Sequence, residues 1–513
     1  MRTAFLLLDM NLKTFIFSIA SLLTVAPWAS AALQTAGGEC RGGASLHALS
    51  ASPAVSSTAS VQAPDTLTDT LSRADSLALL ADSLEGGHEL TWQERLRLRL
   101  SAFQDEAEAA SYQAGICIYD LTGDSLLFAY HDRKIMRPAS TQKILTAVSA
   151  LDILGASHRF MTRAYTDGNI ETVRIRRISD ESGSSETVDS VDQKPLQTDS
   201  IEETRHVLRG NVYVVGGFDP LFSYDDLKSL ARALKEQGID AVDGHIVGDV
   251  SMKDTLQLGN GWCWDDVPSE LVPYLSPLMF NHARSVTGRS RRCLPHPERY
   301  FVETLVRELN HQGVDVALGA TQIRHTQTDL RRARLFYTQS HTLDQVLHRM
   351  MKNSDNLHAE AVFYQLAARN KPAGATWKDG ARQVEGVVNR AGASSRNIEV
   401  ADGSGLSLYN YVSPSTEVAL LRYAYRHPRI YESLSASLPL AGADGTLSSR
   451  MRSGAACRNV RAKTGTLEGV STLAGYVRAS NGNLLAFSIM VNGVLKNAVG
   501  HSLQDRICQA LAQ

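Results

Sequence analysis

The sequence predicts a mixed α+β fold in which the two ends of the folded region supply strands to one antiparallel sheet. Two patterns predict this sheet: a hairpin near residue 120, and three strands close to the C-terminus, the last two joined by Asn481-Gly482, a strong type I′ hairpin signal. A third pattern, a strand–helix–strand unit between them, predicts a separate inserted domain. The strands predicted for the sheet span residues 114–119, 125–130, 460–466, 472–479 and 484–491.

The inserted unit is predicted from a strand at 211–215, an amphipathic helix at 224–237 and a strand at 245–250. We therefore expect one discontinuous domain formed by residues 92–165 and 330–513, with one or more smaller domains inserted at 166–329. Residues 179–203 are rich in Ser, Asp and Glu, a composition typical of a solvated loop.

Length and charge exclude some classes of protein. The chain has 513 residues, too many for a single small module. Its 52 Lys and Arg against 54 Asp and Glu give a net charge of −2, without any run of five like charges. This balance argues against a nucleic-acid partner or a polybasic membrane binder. It does not indicate an oligomeric state.

The N-terminal segment has the pattern of a secretory signal. Lys13 precedes an uncharged, mostly apolar stretch at 14–26, and the small residues Ala29-Ser30-Ala31 follow. The apolar stretch is too short to span a ~30 Å hydrocarbon core, so no stable membrane anchor is expected. We expect residues 1–31 to be a signal peptide of an exported protein, periplasmic or secreted. Residues 32–91 contain no aromatic residue and are predicted to be a disordered polar tether.

The chain has six cysteines, at positions 40, 117, 263, 293, 457 and 508, and their spacing fits neither a CxxC motif nor a zinc pattern. Cys263 and Cys293 are a conceivable disulfide in an exported protein, with buried free thiols as the alternative.

Ser140 and Lys143 form the first candidate for chemistry. They begin a run in which apolar residues recur at helical spacing, so Ser140 is predicted at a helix start and Lys143 on the same face. An unprotonated lysine amine there can take the serine hydroxyl proton. The alternative is a serine that caps the helix beside an exposed lysine. No other serine in the chain lies three residues before a lysine.

A lysine base needs its pKa lowered from ~10.4. A second ammonium ~5 Å away lowers it by about two units at an effective dielectric of ~20, and burial adds to that. Lys463-Thr464-Gly465, in the predicted strand at 460–466, offers such an ammonium, a hydroxyl for a carboxylate and, at the glycine, room for a substrate backbone. The alternative is an edge strand with a solvent-exposed lysine.

Ser354-Asp355-Asn356 lies at the midpoint of a helical pattern at 343–366 and is the third candidate. A rival with the same serine–asparagine spacing is Ser395-Arg396-Asn397. We prefer the first because apolar runs flank it, whereas the rival follows Gly392 in a short polar connection. The alternative interpretation of Ser354-Asp355-Asn356 is a polar break in a helix.

One S-x-x-K at a helix start, then Ser354-Asp355-Asn356 and then Lys463-Thr464-Gly465, in this chain order, resemble the penicillin-binding protein and serine β-lactamase superfamily. The gap of 214 residues between Ser140 and Ser354 can hold a whole inserted domain. With four further segments the chain looks like the D-alanyl-D-alanine carboxypeptidase/endopeptidase family of low-molecular-mass class C penicillin-binding proteins, serine peptidase family S13. Those segments are residues 214–220, 262–266, 402–407 and 444–447. Phe218, the tether and the acidic loop depart from the family pattern.

The resemblance implies a transpeptidase-type domain, with antiparallel sheet and helices, that hydrolyses D-alanyl-D-alanine termini or D-alanyl cross-links of peptidoglycan through a Ser140 acyl-enzyme. It implies peptidoglycan stem peptides and β-lactams as partners and no metal or other cofactor. Catalysis would belong to Ser140, Lys143 and Ser354. Substrate binding would belong to Asn356, Lys463, Thr464, Gly465 and Thr466. Backbone N–H groups of Ser140 and Thr466 would hold the oxyanion.

Two other functions stay open at this point. One is a β-lactamase or esterase on the same scaffold, separated mainly by the rate of deacylation. The other is a peptidoglycan-binding protein that has lost catalysis, against which the three intact motifs weigh. His358, four residues after Ser354, suggests a Ser/His pair, but a histidine on a helix surface is the preferred interpretation.

Overall fold

The structure, a computed structural model, describes residues 90–178, 200–263, 271–285 and 294–513. All of them belong to the second of two units into which the chain divides, Leu67–Gln513. The predicted signal peptide, nearly all of the predicted tether and residues 179–199 of the predicted loop lie outside the described residues. Residues 200–203, which were also predicted to be loop, instead begin a strand.

The elements are numbered here in chain order. The helices are α1 (Trp92–Ala109), α2 (Gln142–Ile153), α3 (Tyr224–Lys235), α4 (Pro297–His311), α5 (Leu343–Lys352), α6 (Asn356–Ala368), α7 (Trp377–Arg390), α8 (Pro414–Arg426), α9 (Pro428–Ser437) and α10 (Asn497–Ala512). The strands are β1 (Gln113–Asp120), β2 (Ser125–Tyr130), β3 (Arg159–Thr166), β4 (Asn169–Ile178), β5 (Ser200–Arg209), β6 (Val212–Val215), β7 (Ala241–Val242), β8 (Ile246–Asp249), β9 (Asp315–Val316), β10 (Thr321–Arg324), β11 (Arg334–Thr342), β12 (Arg461–Leu467), β13 (Val470–Arg478) and β14 (Leu484–Asn492).

The first sheet has the order β12-β13-β14-β1-β2, and every neighbouring pair in it is antiparallel. It joins the two strands near residue 120 to the three strands near the C-terminus, as the sequence predicted. This confirms the mixed α+β class. β12, which carries Lys463, is an edge strand of this sheet.

Both faces of the first sheet are covered, because side chains of a strand alternate between its two faces. In β13, Leu473 and Val477 pack in a core with residues of α1 and α10. Ala474 and Tyr476 face the opposite way, into the core formed by the central helices. The first sheet is therefore the middle layer between two sets of helices.

Helix α2 is buried along nearly its whole length, from Gln142 to Leu151. A helix that is apolar on almost every side belongs in a core rather than on a surface. The helices α5 to α9 contribute side chains to the core that surrounds it. Because Lys143 lies in the first turn of α2, the fold carries this lysine into the interior.

The other two sheets lie in the middle of the chain. The second sheet has the order β10-β8-β6-β3-β11, with β10, β8 and β6 parallel, and the third has the order β4-β5-β7-β9. Strand β6, helix α3 and strand β8 correspond to the predicted strand–helix–strand unit. The boundaries 166–329 for the insertion stay a prediction, and the second sheet extends beyond them because it includes β3 and β11.

The long helical pattern at 343–366 forms two helices, α5 and α6, separated by residues 353–355. Within the described part of the chain, no helix is both long and apolar enough to cross a bilayer. Cys117 and Cys508 are buried free thiols. Cys263 also carries a free thiol, while Cys293 lies outside the described residues.

Candidate active site

Ser140 lies in a single 3₁₀ turn, Ala139–Thr141, that leads directly into α2. Nζ of Lys143 donates a hydrogen bond to Oγ of Ser140 over 2.9 Å. The alternative of a capping serine beside an exposed lysine is wrong, because no side chain caps α2 and Lys143 is fully buried. The pair therefore has the contact that a nucleophile and its base require.

Lys143 also connects the first motif to two other parts of the chain. Its Nζ donates to Oδ1 of Asn356 over 2.8 Å and to the carbonyl oxygen of Ser404 over 2.7 Å. With Ser140, these atoms give the ammonium three acceptors, none of which is charged. The structure thus brings Ser140, Lys143 and Asn356 together at one lysine.

Burial lowers the pKa of Lys143 to about 8, and burial is the largest cause of the shift. The negative charges of Asp402, Glu360 and Asp355 oppose it. The sequence predicts a second ammonium as the main cause of the lowered pKa, whereas removal of Lys143 from water is the larger effect. A lysine with a pKa near 8 is neutral in an appreciable fraction of molecules at neutral pH.

Glu360 is a buried acid that the sequence argument did not find. Its carboxylate accepts the backbone N–H of Gly403 over 3.1 Å and that of Ser404 over 2.9 Å. Burial, with the nearby charge of Asp402, raises the pKa of Glu360 to about 8. Glu360 thereby positions the loop whose Ser404 carbonyl binds Lys143. Glu360 lies four residues after Asn356, on the same face of one helix, and this spacing is the sequence signal that could have identified it.

Asp402 organises the same loop. Its carboxylate accepts the backbone N–H groups of Gly405 and Ser407, each over 2.7 Å, and the indole N–H of Trp262 over 2.9 Å. Gly405 has a φ of +82°, and a Cβ there would overlap the carbonyl oxygen of Ala139. The loop and the serine turn therefore touch through their backbones.

Lys463 is fully buried in β12, so the alternative of a solvent-exposed lysine is wrong although the strand is an edge strand. Its Nζ donates to Oγ of Ser354 over 2.9 Å and to the carbonyl oxygen of Thr464 over 2.7 Å. Burial first, and then the positive charge of Lys143, hold its pKa well below the usual range. The second and third motifs therefore meet at Lys463.

Thr464, Gly465 and Thr466, which follow Lys463 in β12, have three different surroundings. Oγ1 of Thr464 donates to Oγ1 of Thr446 over 2.7 Å, and Thr466 is exposed. Gly465 does not face open space for a substrate, as the sequence argument supposed. A Cβ at Gly465 would lie 2.6 Å from the carbonyl oxygen of Pro138 and 2.9 Å from the nitrogen of Ser140. Glycine at this position lets β12 approach the serine turn closely.

The turn that carries Ser354 separates α5 from α6, as the interpretation of a polar break anticipated. Ser354 has a φ of +58°, a left-handed conformation that is uncommon for a residue other than glycine. Such outliers are frequent at functional sites. Next to it, Nδ2 of Asn356 donates to the carbonyl oxygen of Leu271 over 2.7 Å.

The rival motif at Ser395 lies elsewhere. Ser395 and Asn397 belong to a short 3₁₀ helix, Ser395–Asn397, that contains no buried residue. Oγ of Ser395 accepts a hydrogen bond from Asn389 of α7 over 3.0 Å. Ser354 contacts Lys463, whereas Ser395 lies in a turn without buried residues, and this agrees with the preference for Ser354.

His358 is not on a helix surface, as the sequence argument expected, but is fully buried in the first turns of α6. Its Nδ1 lies 3.0 Å from a carboxylate oxygen of Asp355, and its ring lies 5.1 Å from that of His282. Burial lowers the pKa of His282 to about 4. No bond to Ser354 is formed, so the geometry does not support a Ser/His pair.

The fold and these contacts define the class of protein. The layered helices and antiparallel sheet are shared with the crystal structure of penicillin-binding protein 4 from Haemophilus influenzae, at a TM-score of 0.65 and 23% identity, over 80% of this chain and 98% of that one. A second structure of that protein, complexed with a β-lactam, gives a TM-score of 0.58 at the same identity and coverage. The fold is that of a penicillin-binding protein.

The family follows from the sequence comparisons. The D-Ala-D-Ala carboxypeptidase 3 (S13) family matches the chain over residues 97–177, 196–292 and 283–513, and the chain belongs to this family. It is thus a serine peptidase of the D-Ala-D-Ala carboxypeptidase class, as the motifs predicted.

Two curated relatives cover most of their own length. The chain is 26% identical to the D-alanyl-D-alanine carboxypeptidase DacB of Haemophilus influenzae, over 74% of this chain and 85% of that protein. It is also 26% identical to the D-alanyl-D-alanine carboxypeptidase of an Actinomadura species, over 82% of this chain and 84% of that protein.

Proposed function

We propose that the protein is an exported DD-peptidase that hydrolyses D-alanyl-D-alanine termini or D-alanyl cross-links of peptidoglycan through a Ser140 acyl-enzyme. The observation that carries the proposal is the pairing of two buried lysines with two serines, Lys143 with Ser140 and Lys463 with Ser354, each over 2.9 Å. The names of the two curated relatives favour this substrate.

In the acylation step, neutral Lys143 takes the proton of Ser140 while Oγ attacks the carbonyl carbon of the penultimate D-Ala. The backbone N–H groups of Ser140 and Thr466 hold the oxyanion of the tetrahedral intermediate. The close approach of β12 to the serine turn, which Gly465 permits, supports this arrangement because it brings the two backbones together.

Collapse of the intermediate breaks the C–N bond, and the leaving amine must gain a proton. Ser354 supplies it, and its hydroxyl is then reprotonated by the hydrogen-bonded Lys463. Lys463 in turn regains the proton that Lys143 took from Ser140, which returns Lys143 to its neutral form. Asn356 orients the substrate amide. Water finally attacks the ester, with Lys143 again as the base, and releases Ser140.

The terminal carboxylate of the substrate binds Lys463 and Thr464. A buried lysine whose pKa is held down by burial gains a favourable partner when an anion arrives, and the anion in turn favours the charged form of the lysine. The hydroxyl of Thr464, which donates to Thr446 in the absence of substrate, turns its proton to the same carboxylate when substrate binds.

The same serine would react with β-lactams, since their strained amide mimics the D-Ala-D-Ala bond. The fold shared with a penicillin-binding protein that has been solved with a β-lactam supports this step. Export is proposed from the signal pattern at residues 1–31, since peptidoglycan lies outside the cytoplasm.

The test uses a labelled penicillin, followed by tryptic mapping of the adduct. Wild-type protein should form one covalent adduct, on Ser140, and Ser140→Ala should abolish it. Ser354→Ala should slow labelling, whereas Ser395→Ala, the matched control at the rival motif, should leave it unchanged. Digestion of purified peptidoglycan, with products identified by mass, then separates release of terminal D-Ala from cleavage of cross-links.

Two outcomes contradict the proposal. A label on another residue would show that Ser140 is not the nucleophile. Binding of peptidoglycan without label or product would favour a protein that has lost catalysis. A third outcome, rapid hydrolysis of the penicillin with no attack on peptidoglycan, would favour a β-lactamase.

A further inference from the structure

Three side chains capable of binding a metal meet beside the turn that carries Ser354. Asp355 lies in that turn, His358 in the first turns of α6, and His282 in a separate 3₁₀ turn, Asn281–Ala283. One ligand atom from each lies within 4.8 Å of the other two. The proposed peptidase mechanism uses none of these three side chains.

Both imidazole rings face a single carboxylate. Nε2 of His282 lies 3.3 Å from Oδ2 of Asp355, and Nδ1 of His358 lies 3.0 Å from Oδ1. The centroids of the two rings are 5.1 Å apart, with 31° between their planes. The two histidines come from different parts of the chain, so an ion bound here would join the 281–283 turn to the start of α6.

The ring nitrogens lack hydrogen bonds that would explain their burial. Nε2 of the fully buried His358 has no hydrogen-bond partner among the described residues. Nδ1 of His358 and the buried Nε2 of His282 face only the carboxylate of Asp355, an ion-pair contact without hydrogen-bond geometry. A buried polar nitrogen without a partner is costly and rare in native proteins, and one recognised explanation is a bound ion. Nε2 of His358 in particular is buried where no group of the described residues accepts from it or donates to it.

We propose that His282, Asp355 and His358 bind one divalent transition-metal cation of the Zn²⁺ type, with water completing four-fold coordination. Two imidazole nitrogens and one carboxylate oxygen are a donor set that Zn²⁺ and Co²⁺ accept. Mg²⁺ and Ca²⁺ prefer oxygen ligands, so this set selects against them. An imidazole binds a metal through a ring nitrogen that carries no proton, so binding here should release any proton that the site holds.

Arg349 competes with the cation for the carboxylate. Its Nε lies 3.3 Å from Oδ2 of Asp355, the same oxygen that His282 approaches. Oδ1 of Asp355 also accepts the backbone N–H of His358 over 3.2 Å and so caps α6. A metal ion would therefore displace Arg349 and not the cap, and removal of the arginine should strengthen metal binding.

The role of this ion would be to position the turn rather than to take part in the chemistry. Asn281, His282 and Ala283 all have φ between +48° and +61°, and Ser354 has a φ of +58°. These four residues adopt a conformation that costs free energy unless the surroundings hold it. A cation that joins His282 to Asp355 holds both strained turns at once, directly next to Ser354 and Asn356.

The test titrates metal-stripped full-length protein with Co²⁺, followed by visible absorption of the tetrahedral ion, and with Zn²⁺ by calorimetry. We expect one site per chain and, at 100 times Kd, a melting temperature raised by at least ~3 °C. His282→Gln and His358→Gln should each weaken binding by ~100-fold or more. His348→Gln, at an exposed histidine of α5, is the matched control and should bind as the wild type does.

Arg349→Gln should bind the ion more tightly than the wild type. If His358→Gln fails to fold, as judged by circular dichroism, His282→Gln decides, because its side chain is 15% exposed and tolerates the change. Absence of Co²⁺ binding up to millimolar concentration overturns the proposal. So does binding that survives His282→Gln, or that His348→Gln weakens equally. None of these readouts depends on peptidase activity.

Discussion

Lys143 and Lys463 are both fully buried and each hydrogen-bonds to a serine over 2.9 Å, yet their electrostatic surroundings differ. Lys143, at the start of α2, lies within reach of the charges of Asp402, Glu360 and Asp355, which partly offset the effect of burial. At Lys463, on the edge strand β12, the second cause after burial is the positive charge of Lys143, which acts in the same direction as burial.

The difference shows how two lysines can serve two purposes within one site. Nearby acids keep the pKa of Lys143 close to the working pH, where a base transfers protons in both directions. The charge that acts on Lys463 is the positive charge of Lys143, with no acid to offset it, so Lys463 gains most when a substrate carboxylate arrives. We therefore expect Lys143 to control the chemical step and Lys463 to control recognition of the substrate's charged end.

The largest effect is expected for Lys143→Met, which keeps the buried volume but removes the base. Labelling by penicillin should slow by ~10³ or more, the scale at which the loss of one member of a nucleophile and base pair is usually felt. Stopped-flow or quench measurements of the acylation rate check this. Lys134→Met, at an exposed position, is the control. A loss below tenfold would mean that another group deprotonates Ser140.

Lys463→Ala should distinguish substrates by their terminal charge. Turnover of a D-Ala-D-Ala peptide with a free carboxylate should fall by ~10², and that of its C-terminally amidated analogue by much less, because only the first loses a charged partner. The comparison of kcat/KM for the two peptides measures this. Equal losses on both peptides would show that Lys463 acts through Ser354 or Lys143 and not on the carboxylate.

The wild-type acylation rate should depend on pH through Lys143. The base is active when neutral, so with a pKa of about 8 the rate should rise about tenfold from pH 7 to pH 9 and then level off. Rate constants of penicillin labelling across this range provide the measurement. A rate that is constant from pH 6 to pH 9 is incompatible with this assignment of the base.

The smallest effect is expected for Glu360→Gln. Burial raises the pKa of Glu360 to about 8, so its carboxyl group is only partly ionised near the midpoint of the profile. The substitution removes this partial negative charge, which raises the pKa of Lys143, while the amide oxygen can still accept the N–H of Ser404. The midpoint of the rate–pH profile should therefore move to lower pH, by roughly one unit at most. Glu432→Gln, on the exposed side of α9, should leave the midpoint in place. A shift toward higher pH would mean that Glu360 does not act through its charge.

Helix and strand patterns predicted the first sheet well, because each strand is short, apolar and bounded by turn residues. The break between α5 and α6 was predicted only as the alternative interpretation of Ser354-Asp355-Asn356, within one helical pattern at 343–366. A helical pattern continues across it, since residues on both sides are apolar at helical spacing, and only the left-handed Ser354 interrupts the helix. Local sequence does not encode that conformation for a serine.

The sequence alone was enough to predict which residues carry the proposed chemistry: Ser140 and Lys143 are three apart at a helix start, and the other two motifs follow along the chain. It did not determine what surrounds them. The Ser404 carbonyl and His282 join the site from distant parts of the chain. The burial that lowers the pKa of Lys143 arises only when α2 is enclosed by other helices. Spacing along a chain fixes which side chains share a helix face, whereas dielectric environment and contacts between loops depend on the packing of the whole fold.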